Sequence, residues 1–85
     1  MANLHEEIEA ELARARRKFP EQNVWITLAA LTEEVGELNQ AILHYNFQPE
    51  RDVGVEEVVK EAVQVAVMAI RVVLDCPLND RGGVP

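Results

Sequence analysis

The chain is poor in several things, and each shortage excludes something. A single cysteine, Cys76, rules out an intramolecular disulfide and fits a reducing compartment. Four aromatic side chains (Phe19, Trp25, Tyr45 and Phe47) leave the apolar content, 48% of the residues, to aliphatics and alanine. Only eight basic residues stand against fifteen acidic ones, a net charge of −7, so the basic footprint that a nucleic-acid polymer requires is missing. An anionic nucleotide would need a divalent cation between it and such a chain. The most apolar run, residues 62–74, is interrupted by Gln64 and Arg71 and is too short to span a bilayer. With no signal peptide visible at the start, these shortages are read together as a cytoplasmic protein without a membrane partner.

Eighty-five residues make one domain, expected over residues 1–78, followed by a flexible tail at 79–85. One small core at this length is marginal, and the apolar content exceeds what three helices can bury among themselves, so self-association is expected. Two breaks set the helices. The first spans residues 3–18, with Asn3 as N-cap and Glu6 in capping-box position, acids in its first half and Arg14, Arg16, Arg17 and Lys18 at its end. Dipole compensation accounts for that order without a ligand, although the basic end could touch a phosphate. Its apolar stripe is Leu4, Ile8, Leu12, Ala15 and Phe19. Pro20 closes it.

The second helix runs from residue 22 or 23 to 45. Val24, Leu28, Leu31, Val35, Leu38, Ile42 and Tyr45 recur at intervals of 4 and 3, a seam over three heptads that predicts the buried face of a bundle helix. Residues 46–54, with Pro49 and Gly54, form a loop short enough to make the flanking helices antiparallel. The third helix starts near Val55 and ends before Pro77; Val63, Val65 and Val67 alternate as in a strand, but the run's length and interspersed alanines favour helix. Because residues 62–74 are apolar nearly all round, this helix should be covered on several sides. Within that run Gln64 and Arg71 share one face, continued by Glu57 with Glu61 beside it. The expected architecture is all-α: a protomer of two long antiparallel helices plus an N-terminal helix, assembling into a multi-helix bundle as a dimer or dimer of dimers.

Glu33, Glu34 and Glu37 place three carboxylates within one and a half turns, where they repel one another. Opposite a core seam such a run is usually a solvated face. Gly36 in mid-helix costs roughly 1 kcal/mol against alanine and suggests the close approach of a backbone or ligand. Helix geometry brings a second i, i+3 pair of oxygen donors to the same level. Measured from the connecting loop at 1.5 Å per residue, Glu34 and Glu37 lie roughly 12–16 Å along one helix, and Glu61 and Gln64 roughly 9–14 Å along the other. Facing pairs of oxygen donors across a bundle are how helical proteins hold divalent ions, and an all-oxygen set selects Mg²⁺ or Mn²⁺.

The pattern Glu33-Glu34-x-x-Glu37, twenty-three residues, then Glu61-x-x-Gln64 resembles the MazG-like all-α nucleoside triphosphate pyrophosphohydrolases, whose pattern is Glu-Glu-x-x-Glu followed by Glu-x-x-Asp. The resemblance covers residues 25–74, including Leu-Thr-Glu-Glu-Val-Gly-Glu-Leu at 31–38. It implies a homodimer or homotetramer that cleaves a nucleoside triphosphate between its α and β phosphates, with Mg²⁺, as a nucleotide-pool house-cleaning enzyme. It also implies Glu34, Glu37 and Glu61 as metal ligands, with Glu33 holding a second ion or orienting the attacking water. Gln64 stands where the family usually has aspartate: its carbonyl can coordinate a hard cation but brings no charge. For the triphosphate, Arg71 is the expected grip, with Lys60 a further cation and Trp25 a stacking surface for a base; His44, seven residues after Glu37, lies on the same face. The alternative is a catalytically silent helical dimerisation or nucleotide-binding module.

Overall fold

The computed structural model describes residues 3–20 and 22–77; residue 78, where the domain boundary was placed, and the tail expected at 79–85 lie outside the described residues. Three helices, α1 (Leu4–Lys18), α2 (Val24–Phe47) and α3 (Val55–Leu74), are joined by a loop at Pro20 and by a 3₁₀ turn, Pro49–Arg51; no strand occurs among the described residues. No helix among the described residues is long and apolar enough to cross a membrane.

Local chemistry sets the ends. Asn3 caps α1, its Oδ1 accepting from the His5 amide (2.8 Å), two residues on, where the capping-box spacing had pointed to Glu6. Asn23 caps α2, accepting from the Ile26 amide at 2.9 Å. α2 runs two residues past the expected Tyr45, to Phe47, and the Gln48 amide closes it on the His44 carbonyl. Pro49 opens the 3₁₀ turn, and Asp52 ends it in the left-handed region (φ 54°), which aspartate tolerates better than most residues. The chain thereby reverses, and α3 returns along α2. Its valines are helical, as its length predicted.

The face of α2 that meets α3 is not centred on the heptad seam. Thr27 and Ala41 are its buried residues, and Leu31, Glu34 and Leu38 between them are half-buried. Leu28, Val35, Ile42 and Tyr45, all on the expected seam, are exposed. The line of contact is therefore displaced by one residue along half its positions. Thr27 and Ala41 are small, so α3 can approach there, and Glu34 is carried between the helices. Gly36 has nothing within 4 Å of where its Cβ would stand, so among the described residues no neighbouring backbone comes close to it.

Covering of α3 is also less than its composition predicts. Val63 and Val67 are buried with Ala41 and Cys76, whereas Val73 and Leu74 are exposed. None of the α1 residues is buried, and Leu4 and Phe19 of its expected stripe are exposed. A radius of gyration of 15.2 Å exceeds the about 12 Å of a self-contained globule of this length.

What fastens α1 is polar. Arg71, 1% exposed, sends Nη2 to the Phe19 carbonyl (2.6 Å), Nη1 to the Ala15 carbonyl (3.3 Å) and Nε to Asp75 (2.7 Å). It thus satisfies carbonyls at the C-terminus of α1, where the dipole favours a cation. Asp75 also receives Arg16 of α1, at 2.6 and 2.9 Å. At the same end Cys76 donates to Thr27 Oγ1 (3.2 Å), joining α3 to α2.

Hydrogen bonding from Arg16, then from Arg71, with the charges of both, holds Asp75 down at about 2, against burial, which opposes the shift. A carboxyl depressed on folding stabilises fully above its ordinary 3.8 and loses that contribution as pH falls through about 2. Asp75→Asn should therefore cost about 3 kcal/mol at neutral pH, leaving Arg71 buried without its counter-charge. In urea titrations the gap between parent and variant should narrow steadily as pH falls from 4 towards 2. An undiminished gap would show that the carboxylate charge is not what Arg71 needs.

Candidate metal centre

Glu34 and Glu37, three residues apart on α2, face Glu61 on α3, and one carboxylate oxygen from each lies within 4.8 Å of the other two. The buried residues of α2 on either side of this level, Thr27 and Ala41, are small and leave room for the carboxylates between the helices. Glu61 is buried, 8% exposed, and its Oε2 has no hydrogen-bond partner; Glu34 Oε2 is in the same condition. Among the described residues no ion pair engages any of the three.

Burial, then hydrogen bonding to Glu37, and the charges of Glu37, Glu34 and Glu57 push Glu61 up to about 7. Glu34 is raised as well, first by burial and then by Glu37, with Glu11 of α1 and Glu33 adding to it. Buried oxygens without donors and carboxyls driven towards their neutral form have one physical meaning. The gap disfavours three charges and would be relieved by protons or by a cation.

The donor set fits a hard divalent ion. All of its atoms are carboxylate oxygens, and ligands bonded at 2.0–2.6 Å on opposite sides of one ion stand roughly 4–5 Å apart. Glu34, Glu37 and Glu61 would hold it, and their orphaned oxygens, Glu34 Oε2 and Glu61 Oε2, are the atoms that lack any other partner.

Two cavities flank the cluster. The larger, ≈ 510 Å³, opens towards the α2–α3 loop between Glu37 and Glu61, with His44, Asp52 and Glu57 on its walls. The smaller, ≈ 180 Å³, lies on the α1 side, where Glu34 and Gln64 meet Glu11, Arg14 and Lys18. Gln64 is thus beside Glu34, half-buried, in the cavity next to the carboxylates.

The remaining expected site residues are dispersed. Glu33 is exposed and reaches the cluster only through its charge on Glu34. Arg71 is committed to α1 and Asp75. Lys60 pairs with Glu57 at 3.9 Å and lines a third, mostly apolar cavity of ≈ 360 Å³ between α1 and α3. Trp25 is 77% exposed, nine residues before Glu34 on α2. Glu11, Gln40 and Asp52 join these surroundings with no prior indication: Glu11 arrives from a helix whose docking angle no periodicity encodes, and Asp52 from a turn.

The cluster predicts a particular pH dependence. Between the ordinary 4.5 of Glu61 and about 7, the folded chain retains a proton that the unfolded chain has released. Stability in the presence of chelator should therefore fall as pH rises through this window, and Glu61→Gln should flatten that fall. Saturating Mg²⁺ at pH 7.5 should raise the parent's melting temperature by linkage and should not raise that of the Glu34→Ala/Glu37→Ala variant. Equal Mg²⁺ responses in the two proteins would remove these carboxylates from the metal site.

Compared with known proteins, the chain matches no family, no curated protein and no solved structure.

Proposed function

We propose that the protein is a divalent-metal-dependent nucleoside triphosphate pyrophosphohydrolase of the MazG-like kind, acting as a homo-oligomer. The observation that carries this reading is the convergence of Glu34, Glu37 and Glu61 from two helices with buried, unpartnered oxygens. The order of these residues along the chain is the one the resemblance requires.

In the reaction, a water oxygen forms a bond to the α-phosphorus while the bond from that phosphorus to the α–β bridging oxygen breaks. The products are a nucleoside monophosphate and pyrophosphate, and the water's proton passes to a base. Bound Mg²⁺ supplies charge neutralisation for the phosphates and acidifies water. Glu34, Glu37 and Glu61 hold the ion, and Gln64, on the wall beside Glu34, adds an amide at the edge of the site. Glu33, exposed and one residue before Glu34, would act from the edge of the site, holding a second ion or orienting the water.

Self-association follows from the apolar residues left uncovered. Leu28, Val35, Ile42 and Tyr45 form a row on α2 facing away from α3, with Trp25, Ile26, Leu43 and Phe47 exposed nearby. A second copy placed on this row would bury the half of the heptad seam that α3 leaves open.

A second reading, nucleotide binding without turnover, is favoured by Gln64, which removes one negative charge from the set. Incubation with a panel of ribo- and deoxyribonucleoside triphosphates and Mg²⁺ or Mn²⁺ separates the two. Pyrophosphate release abolished by chelator and by Glu61→Gln is expected. Metal-dependent binding with no release from any nucleotide would establish the silent module instead.

A further inference from the structure

Arg71 is committed to α1 and Asp75, and Lys60 lines a different cavity from the one beside Glu34, so a triphosphate held at the carboxylates needs other cations. We infer that the end of α1 supplies them: Arg14 and Lys18, with the Gln64 amide, form a phosphate-binding subsite in the small cavity beside Glu34. The identity of the anion rests on the proposed nucleotide reading; the site itself rests on four features of the cavity.

First, the cavity is the place where positive charge meets the acidic cluster. Glu34 forms one wall, Gln64 of α3 another, and Arg14 and Lys18 enter from α1. Those two are four residues apart and therefore project from one face of the helix. Second, Arg14 is oriented, not consumed. Glu11 receives its Nε at 3.0 Å and its Nη2 at 2.5 Å. A guanidinium has five N–H groups in a planar fork, so the Nη1 pair and one more remain for an anion. Third, Lys18 forms no ion pair among the described residues; its ammonium stands 5.4 Å from the Phe19 ring centre. Fourth, the cavity, ≈ 180 Å³, has room for a phosphate group beside Glu34.

Charge decides the sign of the preferred ligand. With Glu11 and Glu34 against Arg14 and Lys18 the cavity is near neutral by itself, and a divalent ion at Glu34 makes it positive. The uncharged Gln64 is consistent with this. Its amide can donate to a phosphate oxygen, whereas an aspartate there would repel the anion. Arg14 and Lys18 are then binding residues that act on the phosphate chain.

Inorganic tripolyphosphate, titrated calorimetrically into the full chain with Mg²⁺ and separately with chelator, tests this. Arg14→Gln/Lys18→Gln should weaken binding by ~10-fold or more, the loss of charge-assisted hydrogen bonds from two cations. It should leave the Mg²⁺-induced rise in melting temperature intact. Arg17→Gln removes a charge from the same helix end without touching the cavity and should change affinity by less than about 2-fold, as expected for a screened surface charge. Gln64→Asp should weaken tripolyphosphate binding even where it strengthens Mg²⁺ binding. Arg14 is exposed and its pair with Glu11 is local, so the variants should fold, which circular dichroism checks. Unchanged affinity in the double variant, an equal loss in Arg17→Gln, or no binding of tripolyphosphate by the parent overturns the subsite. Arg14- and Lys18-dependent binding that survives in chelator, with no Mg²⁺ effect on melting, would overturn the metal reading alone.

Discussion

Three like charges confined between two helices are the constraint around which this small protein is organised. Glu34, Glu37 and Glu61 offer oxygens within 4.8 Å of one another, and the burial of Glu61 removes most of the water that would screen them. Packed leucines in their place would stabilise the protomer more. Instead the α2–α3 interface is built of small residues at Thr27 and Ala41, with carboxylates in the middle. A domain that buries Ala41, Val63, Val67 and Cys76 as its apolar core can sustain such a feature only with relief from elsewhere. Protons supply it at low pH, and on the proposed reading a divalent cation supplies it at neutral pH.

The opposite end of the molecule uses complementary charges for stability. Arg71 and Arg16 converge on Asp75, and Arg71 also closes the carbonyl end of α1. The two ends are connected through α1. The same docking that delivers Ala15 and Phe19 to Arg71 sets Arg14 and Lys18 beside Glu34 and Gln64. The proposed anion subsite and the fold thus share a helix that has no buried residue of its own, so its placement depends on polar contacts more than on apolar area.

Helix number, most helix ends and the antiparallel return were legible because they rest on local chemistry: Asn3 as a cap, Pro20 and Pro49 as breaks, and apolar spacing throughout, although α2 runs on to Phe47. The common level of Glu34, Glu37 and Glu61 was legible because rise per residue is fixed by the helix itself. Rotation about the helix axis was not. The heptad seam of α2 divides between α3 and an open face, and periodicity alone cannot say which half of a wide stripe a given neighbour will take. The role of Arg71 in fastening α1 was hidden for a related reason: besides Asp75, its partners are main-chain carbonyls fifty-two and fifty-six residues away, which carry no sequence signature. Glu11 and Asp52 were invisible for the same cause: their approach to the site depends on how α1 and the loop dock, not on spacing within one element.

Whether a cation is what these carboxylates are for can be decided by counting it. Mn²⁺ added to the protein at pH 7.5 should lose its free-ion electron paramagnetic resonance signal in proportion to the protomers present, and Mg²⁺ should compete for the same positions. Glu61→Gln, which preserves shape and removes one charge, should return most of that signal. A parent protein that leaves Mn²⁺ free, or a variant that sequesters it as well as the parent does, would contradict the account.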